Sequence, residues 1–224
     1  MKKTIGIITI LIVMLTVLTG CSVNVDYEVK INSNGSGEIT YIYGYSKDTL
    51  ESLQTTSDQL VKSQKEQAEK NGYKTEEYKD DKIEGFKATK HLNDISKEFS
   101  IEEFGEEYIN KEKSEITINK SLFKTQIKQN IEVDLTELND VQSAVDIKYT
   151  VKLPVKIGTN NATEVLQDGR TASWKLNPGQ VNSIEFVASG INVSSIICFV
   201  LLVAIVIAGI VYFIIFFKKK RETK

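Results

Sequence analysis

The chain has 224 residues, with 28 Lys and Arg against 30 Asp and Glu, one His and two Cys. Residues 4–19 and the run Ile191–Phe217 are almost wholly apolar, leaving 169 residues from Ser22 to Gly190, enough for one domain with its own core. Setting aside Lys2 and Lys3 at one end, and Lys218, Lys219, Lys220, Arg221, Lys224 and Glu222 at the other, leaves 21 bases against 29 acids. A net charge of −8 on the folded part is the wrong sign for gripping nucleic acid, and one His with two Cys cannot build a Cys/His zinc site.

The first twenty residues read as a signal peptide: Lys2-Lys3, an apolar stretch from Ile5 to Leu18, then Leu18-Thr19-Gly20-Cys21. Small residues before a cysteine resemble the bacterial lipobox, and that resemblance implies cleavage before Cys21 and acylation (palmitate) of its side chain. At the other end, Ile196 to Phe217 holds neither charge nor Pro and is long enough to cross the ~30 Å hydrocarbon layer. Lys218-Lys219-Lys220-Arg221 follow at once, so the positive-inside rule expects a cytoplasmic tail and an extracytoplasmic domain. Cys198, within the apolar run, reads as a small apolar filler. The expected organisation is signal peptide 1–20, ectodomain 21–190, transmembrane helix 191–217 and basic tail 218–224. With a spanning helix already present, the lipid on Cys21 is redundant as an anchor, and its expected role is to position the first strand.

Val23, Val25, Tyr27, Val29 and Ile31 alternate with polar residues, as a half-buried strand requires. Asn32–Gly37 is a glycine-rich turn, and Ile39, Tyr41, Tyr43 and Tyr45 alternate after it, completing a hairpin. Ser46 suits an N-cap, and Lys47–Asn71 contains no Gly or Pro before Gly72, predicting one long helix. Its stripe of Leu50, Leu53, Leu60, Val61 and Ala68 is narrow, with Ser57 and Gln64 interrupting it. That leaves either a partly exposed helix or one whose polar gaps face a wet cavity.

A second hairpin is expected from Tyr73–Tyr78 and Ile83–His91 around Asp80-Asp81-Lys82, followed by a short helix capped at Asn93-Asp94 and an acidic connector, Gly105–Lys113. Strand signals return at Ile116–Ile118 and Ile131–Leu135, and strongly at Val145–Leu153, which Pro154 ends. Asp168-Gly169 joins Glu164–Gln167 to Thr171–Leu176, and Asn177–Gln180 leads into Ile184, Phe186 and Ala188. The expected fold is α+β: an antiparallel sheet of about eight strands with one long helix on one face, plus the C-terminal transmembrane helix. Because the first strand starts beside Cys21 and the last ends near the span, both of those ends are expected at the membrane, with the two strands antiparallel.

The lipobox running straight into a strand, Asn34-Gly35-Ser36-Gly37, the helix after it, Leu153-Pro154, Asp168-Gly169, Ser173-Trp174-Lys175-Leu176, Pro178-Gly179 and a C-terminal span together resemble the LppM-domain family of bacterial lipoproteins. The resemblance implies a helix-grip-like extracytoplasmic domain that binds an envelope lipid or glycolipid. The long polar helix and the connector Lys97–Lys113 depart from the family pattern.

Residues suited to catalysis are scarce. His91, the single histidine, sits on a strand end with no metal-binding spacing around it. Glu102, Glu103, Glu106 and Glu107 read as a solvated acidic face, lacking the spaced loop of a calcium site. No catalytic residue, metal or cofactor is expected. The candidate ligand contacts are Tyr27, Tyr41, Tyr43, Tyr45 and Trp174, whose alternative role is cross-strand packing. The expected function is a non-enzymatic, membrane-apposed lipid-binding lipoprotein; the alternative is an interaction or scaffold subunit of a membrane complex without a small-molecule ligand.

Overall fold

The computed structural model describes residues 22–98, 108–121, 123–191 and 193–222. The signal segment 1–20, Cys21 and the acidic cluster Glu102–Glu107 lie outside the described residues.

The alternating run after Cys21 forms β1 (Val23–Ile31) and returns as β2 (Gly37–Ser46). In the turn, Asn34 Oδ1 accepts from the Ser36 amide at 3.0 Å, and Gly35 takes φ +91°, where a Cβ would be strained. Ser46 caps the next helix, its side chain accepting from the Thr49 amide. The single long helix expected here is two: α1 (Lys47–Leu53) and α2 (Ser57–Lys70). Gln54 is left-handed at φ 50° and Thr56 is extended, which breaks the axis. Thr55-Thr56-Ser57 accounts for the break, since hydroxylic and β-branched side chains favour caps over helix interiors.

The chain continues through β3 (Lys74–Lys79), β4 (Ile83–Leu92) and a one-turn α3 (Ile95–Glu98). The described part of the connector bridges Ile109 to Val133 and makes a 3-10 turn at Lys111–Lys113, and after it come β5 (Glu115–Lys120), β6 (Lys124–Asp134), a 3-10 turn at Thr136–Val141 and β7 (Val145–Lys152). Then follow β8 (Ile157–Asn160), β9 (Glu164–Val165), β10 (Thr171–Leu176), β11 (Val181–Ile191) and the helix α4 (Val193–Glu222). Within α4, Ser195–Phe213 has a mean hydropathy of 3.2 and is not covered by the domain; Cys198 is exposed on it.

The expected single antiparallel sheet is corrected to two sheets, one of them mixed. Seven strands run in the order β3-β4-β2-β1-β7-β10-β9, and four in the order β5-β6-β11-β8. β1 is antiparallel to β2 but parallel to β7. Alternation reveals that one face of a strand is buried; it carries no information about which distant strand lies alongside or in which sense. Val23 pairs with Val145, a contact across most of the domain's sequence.

Directly paired residues share a face, so Tyr45, Val23 and Val145 lie in one row, as do Tyr41, Tyr27, Tyr149 and Trp174. This face of the large sheet is the buried one. Over β2, β3 and β4 it is covered by α1 and α2. Over β7 and β10 the second sheet covers it, presenting Ile127, Gln129, Ile131, Ile184, Phe186 and Ala188, all buried.

The expected antiparallel sense of the first and last strands is also corrected. β1 and β11 lie in different sheets and run in the same sense. β1 and β7 start together, β10 ends beside Ile147, and β11 begins after a turn whose Gln180 carbonyl accepts from Leu135 at that same end. β11 finishes at the opposite end, where the Ser189 amide donates to Lys156 and Gly190 abuts Val155. The Ser22 end and the Ile191 end are therefore separated by roughly 30 Å, the length of a nine-residue strand.

Two stability predictions arise from this framework. Gly85 faces Gly44 across β2 and β4; a Cβ there would overlap the Tyr43 carbonyl oxygen and stand 2.5 Å from the Gly44 Cα. Gly85→Ala is expected to destabilise by about 1–3 kcal/mol through overpacking, read as a lower urea midpoint with an unchanged m-value. Asp168 accepts from the Arg170 and Thr171 amides and the Thr171 hydroxyl, at 2.7, 2.9 and 2.9 Å. Led by the Arg170 amide, these bonds hold its carboxyl below the ordinary carboxylate value. A carboxyl lowered by folding stabilises above its unfolded value, and that contribution is lost as pH falls through the folded value. Asp168→Asn should therefore lower Tm at neutral pH, with the gap to wild type narrowing below about pH 4.

Candidate functional site

The large sheet's register turns scattered aromatic residues into one continuous row. Tyr27 stacks on Tyr41 with ring centroids 6.3 Å apart and 3° between planes, and on Tyr149 at 6.1 Å. Tyr149 continues to Trp174 at 5.8 Å, and Trp174 to Phe186 of the second sheet at 5.9 Å. In the other direction Tyr41 meets Tyr73 edge-on at 5.2 Å and Phe86 at 5.8 Å, and Phe86 leads to Tyr43 and Tyr45, each step 5.9 Å. Contacts of this geometry contribute about 0.5–1.5 kcal/mol each beyond the area they bury.

All five sequence-predicted residues belong to this row, but they are not equally accessible. Tyr27, Tyr43, Tyr45 and Trp174 are buried, whereas Tyr41 is half-buried. The Tyr43 and Tyr45 hydroxyls bond each other at 3.2 Å, and burial pushes the Tyr43 phenol well above its ordinary value. Trp174 Nε1 donates to Asn161 Oδ1 at 2.7 Å; the same oxygen accepts from the Glu185 amide, tying β10 to β11. The sequence reading overlooked Tyr73, Phe86, Tyr149 and Phe186. Tyr149 was detectable, because it occupies the apolar phase of the strongest alternation in the chain.

Tyr149 is fully buried, and its hydroxyl meets the Gln129 amide at 2.9 Å, a polar tie between the two sheets. Burial raises the phenol well above its ordinary value, so it stays protonated and able to exchange hydrogen bonds with the amide.

The helical cover is lightly held. Of the fourteen residues of α2, only Val61, Gln64 and Ala68 are buried. Gln64 lies on the inward face with its side-chain amide turned toward its own helix; with the amide oriented as its hydrogen-bond partners require, the nitrogen donates to the Leu60 carbonyl at 3.1 Å, so it needs no partner from the sheet. The α2 N-cap Thr56 makes no side-chain capping hydrogen bond. Beside Tyr73 the Lys90 ammonium lies 5.4 Å from the ring centroid. A separate polar cleft of about 410 Å³ opens next to Ser22, lined by residues including Gln142, Asp146, Lys175 and Asn177.

His91 is on the surface, its Nδ1 3.0 Å from Glu38 Oε2. Among the described residues no group of three or more His, Cys, Asp or Glu could hold a metal ion.

Comparison with known proteins matches the LppM domain family model to residues 22–190. The chain is also similar to a solved structure, the NMR structure of the folded domain of the Mycobacterium tuberculosis LppM protein. That likeness has 14% identity and a TM-score of 0.47, covering 77% of this chain and 92% of the other. No curated protein matches.

The inter-sheet tie yields a direct test. Tyr149→Phe keeps the ring stacks but leaves the buried Gln129 amide without that partner. The expected cost is about 1–3 kcal/mol, read from denaturant unfolding, and Tyr149→Phe combined with Gln129→Leu should recover part of it.

Proposed function

Since the chain belongs to the LppM domain family, we propose that it is a non-enzymatic envelope lipoprotein that binds an envelope lipid or glycolipid between α2 and the large sheet. In this reading Cys21 carries the acyl anchor, the domain sits on the extracytoplasmic face, and the basic tail 218–224, whose first residues continue α4, is cytoplasmic. The observation supporting the reading is the aromatic floor of Tyr41, Tyr43, Tyr73 and Phe86 beneath a helix buried at only three of its positions. The break at Gln54 gives α2 a hinge, and lifting it would expose flat aromatic surface suited to acyl chains or sugar faces, the lost burial of Tyr43, Tyr73 and Phe86 being replaced by the bound lipid. Lys90 at the rim is placed to meet an anionic headgroup.

The closed packing supports a second reading. Tyr27, Tyr43, Tyr45 and Trp174 are buried against one another and their neighbours, as in a domain that has no ligand and serves as a scaffold through its acidic surface.

Native mass spectrometry of the full chain, purified from membranes in mild detergent, separates the two readings. Lipid binding is expected to give a discrete additional mass, lost on denaturation and distinct from the acyl group on Cys21. Tyr41→Ser, at the half-buried end of the floor, should weaken it by about tenfold, equivalent to ~1.4 kcal/mol. An apo mass across several mild detergents would favour the scaffold.

A further inference from the structure

We propose that the β5–β6 turn is a second contact with the bilayer, in which Phe123 enters the interfacial layer beside the span. Three observations carry this. First, Phe123 is large, apolar and 43% exposed at the tip of a hairpin, where folding alone has no use for it. Second, its ring packs edge-on against Phe199 of α4, with centroids 5.5 Å apart and planes at 84°. Phe199 lies inside the apolar stretch Ser195–Phe213, about 6 Å along the helix from Ser195 at the standard rise. A side chain that touches Phe199 from outside the helix is therefore at the depth where headgroups give way to acyl chains.

Third, the hairpin is hydrogen-bonded on either side of its tip and aimed there. β6 pairs with β11 over its full length, ending with Lys124 opposite Ile191, immediately before α4. The tip is closed by the Ser121 amide donating to the Lys124 carbonyl at 2.8 Å and the Lys124 amide donating to Ser121 Oγ at 3.1 Å. Ile191, 67% exposed, extends the apolar patch from Phe123 to the helix. Lys124 next to Phe123 is exposed, an arrangement in which the aromatic ring dips and the ammonium stays with lipid phosphates. The occupant is thus the lipid interface around the span. The contact fixes how the domain leans on its transmembrane helix at the Ile191 end, independently of the acyl group proposed on Cys21.

The inference rests on α4 spanning the bilayer, so the test reads both. The full chain is reconstituted into phosphatidylcholine and phosphatidylglycerol vesicles without brominated lipid, with lipid brominated near the glycerol end of its acyl chains, or with lipid brominated near the chain ends. The native Trp174 is buried in the domain core and provides the unquenched background. Val206→Trp, in the middle of the apolar stretch, reports the span, and Phe123→Trp reports the tip. The expected result is blue-shifted emission from both variants, with Phe123→Trp strongly quenched by the shallow bromines. Quenched Val206→Trp with unquenched Phe123→Trp would overturn the second contact while leaving the span intact. If Val206→Trp has water-like emission and is unquenched by lipid brominated near the chain ends, the span reading falls and this proposal with it.

Discussion

The fold depends on the pairing of β1 on both of its edges. Its antiparallel register with β2 and parallel register with β7 set Tyr41, Tyr27 and Tyr149 side by side. A shift of one residue on either edge would turn half of that row to solvent, because neighbouring positions on a strand face opposite ways. The register therefore determines the aromatic row, and the row spans the boundary between the two covers of the sheet. Tyr149 meets the second sheet through Gln129, while Tyr41 lies under the helical side next to Tyr73.

The two covers are held differently. The second sheet is secured by interdigitated apolar side chains, the Tyr149–Gln129 tie and Asn161, which accepts from both Trp174 and the Glu185 amide. The α1–α2 side depends on a few inward residues, a side-chain cap at the start of α1 and a break before α2 that has no such cap. Such a contrast gives one rigid half and one half of lower local stability, the pattern usual for binding elements. The acidic residues that give the domain its charge do not gather into a site among the described residues.

Strand direction also constrains how the domain meets a membrane. β1 leaves the end next to Ser22, and β11 delivers the chain to α4 at the opposite end. In the proposed reading, with an acyl group on Cys21 at one end and the span after Ile191 at the other, the long axis of the sandwich lies along the bilayer; a domain anchored only at the Ile191 end could stand upright. The contact of Phe123 with Phe199 shows that the β5–β6 hairpin lies on the side toward the helix.

Local pattern was sufficient for much of this protein. Alternation identified β1, β2, β4, β7 and β11, Gly35 and Asp168-Gly169 marked turns, Ser46 marked a helix start, and uninterrupted hydropathy marked α4. Each of these is decided by neighbours within a few residues, through pleat, φ or capping, and so can be read along the chain. The break at Gln54 was also local, yet a Gly- and Pro-free stretch concealed it. The parallel partnership of β1 with β7, the division into two sheets and the burial of Tyr43, Tyr45 and Trp174 arise from contacts between segments far apart in sequence. Only the assembled tertiary structure decides these, because burial on a strand face states that a cover exists and not which segment supplies it.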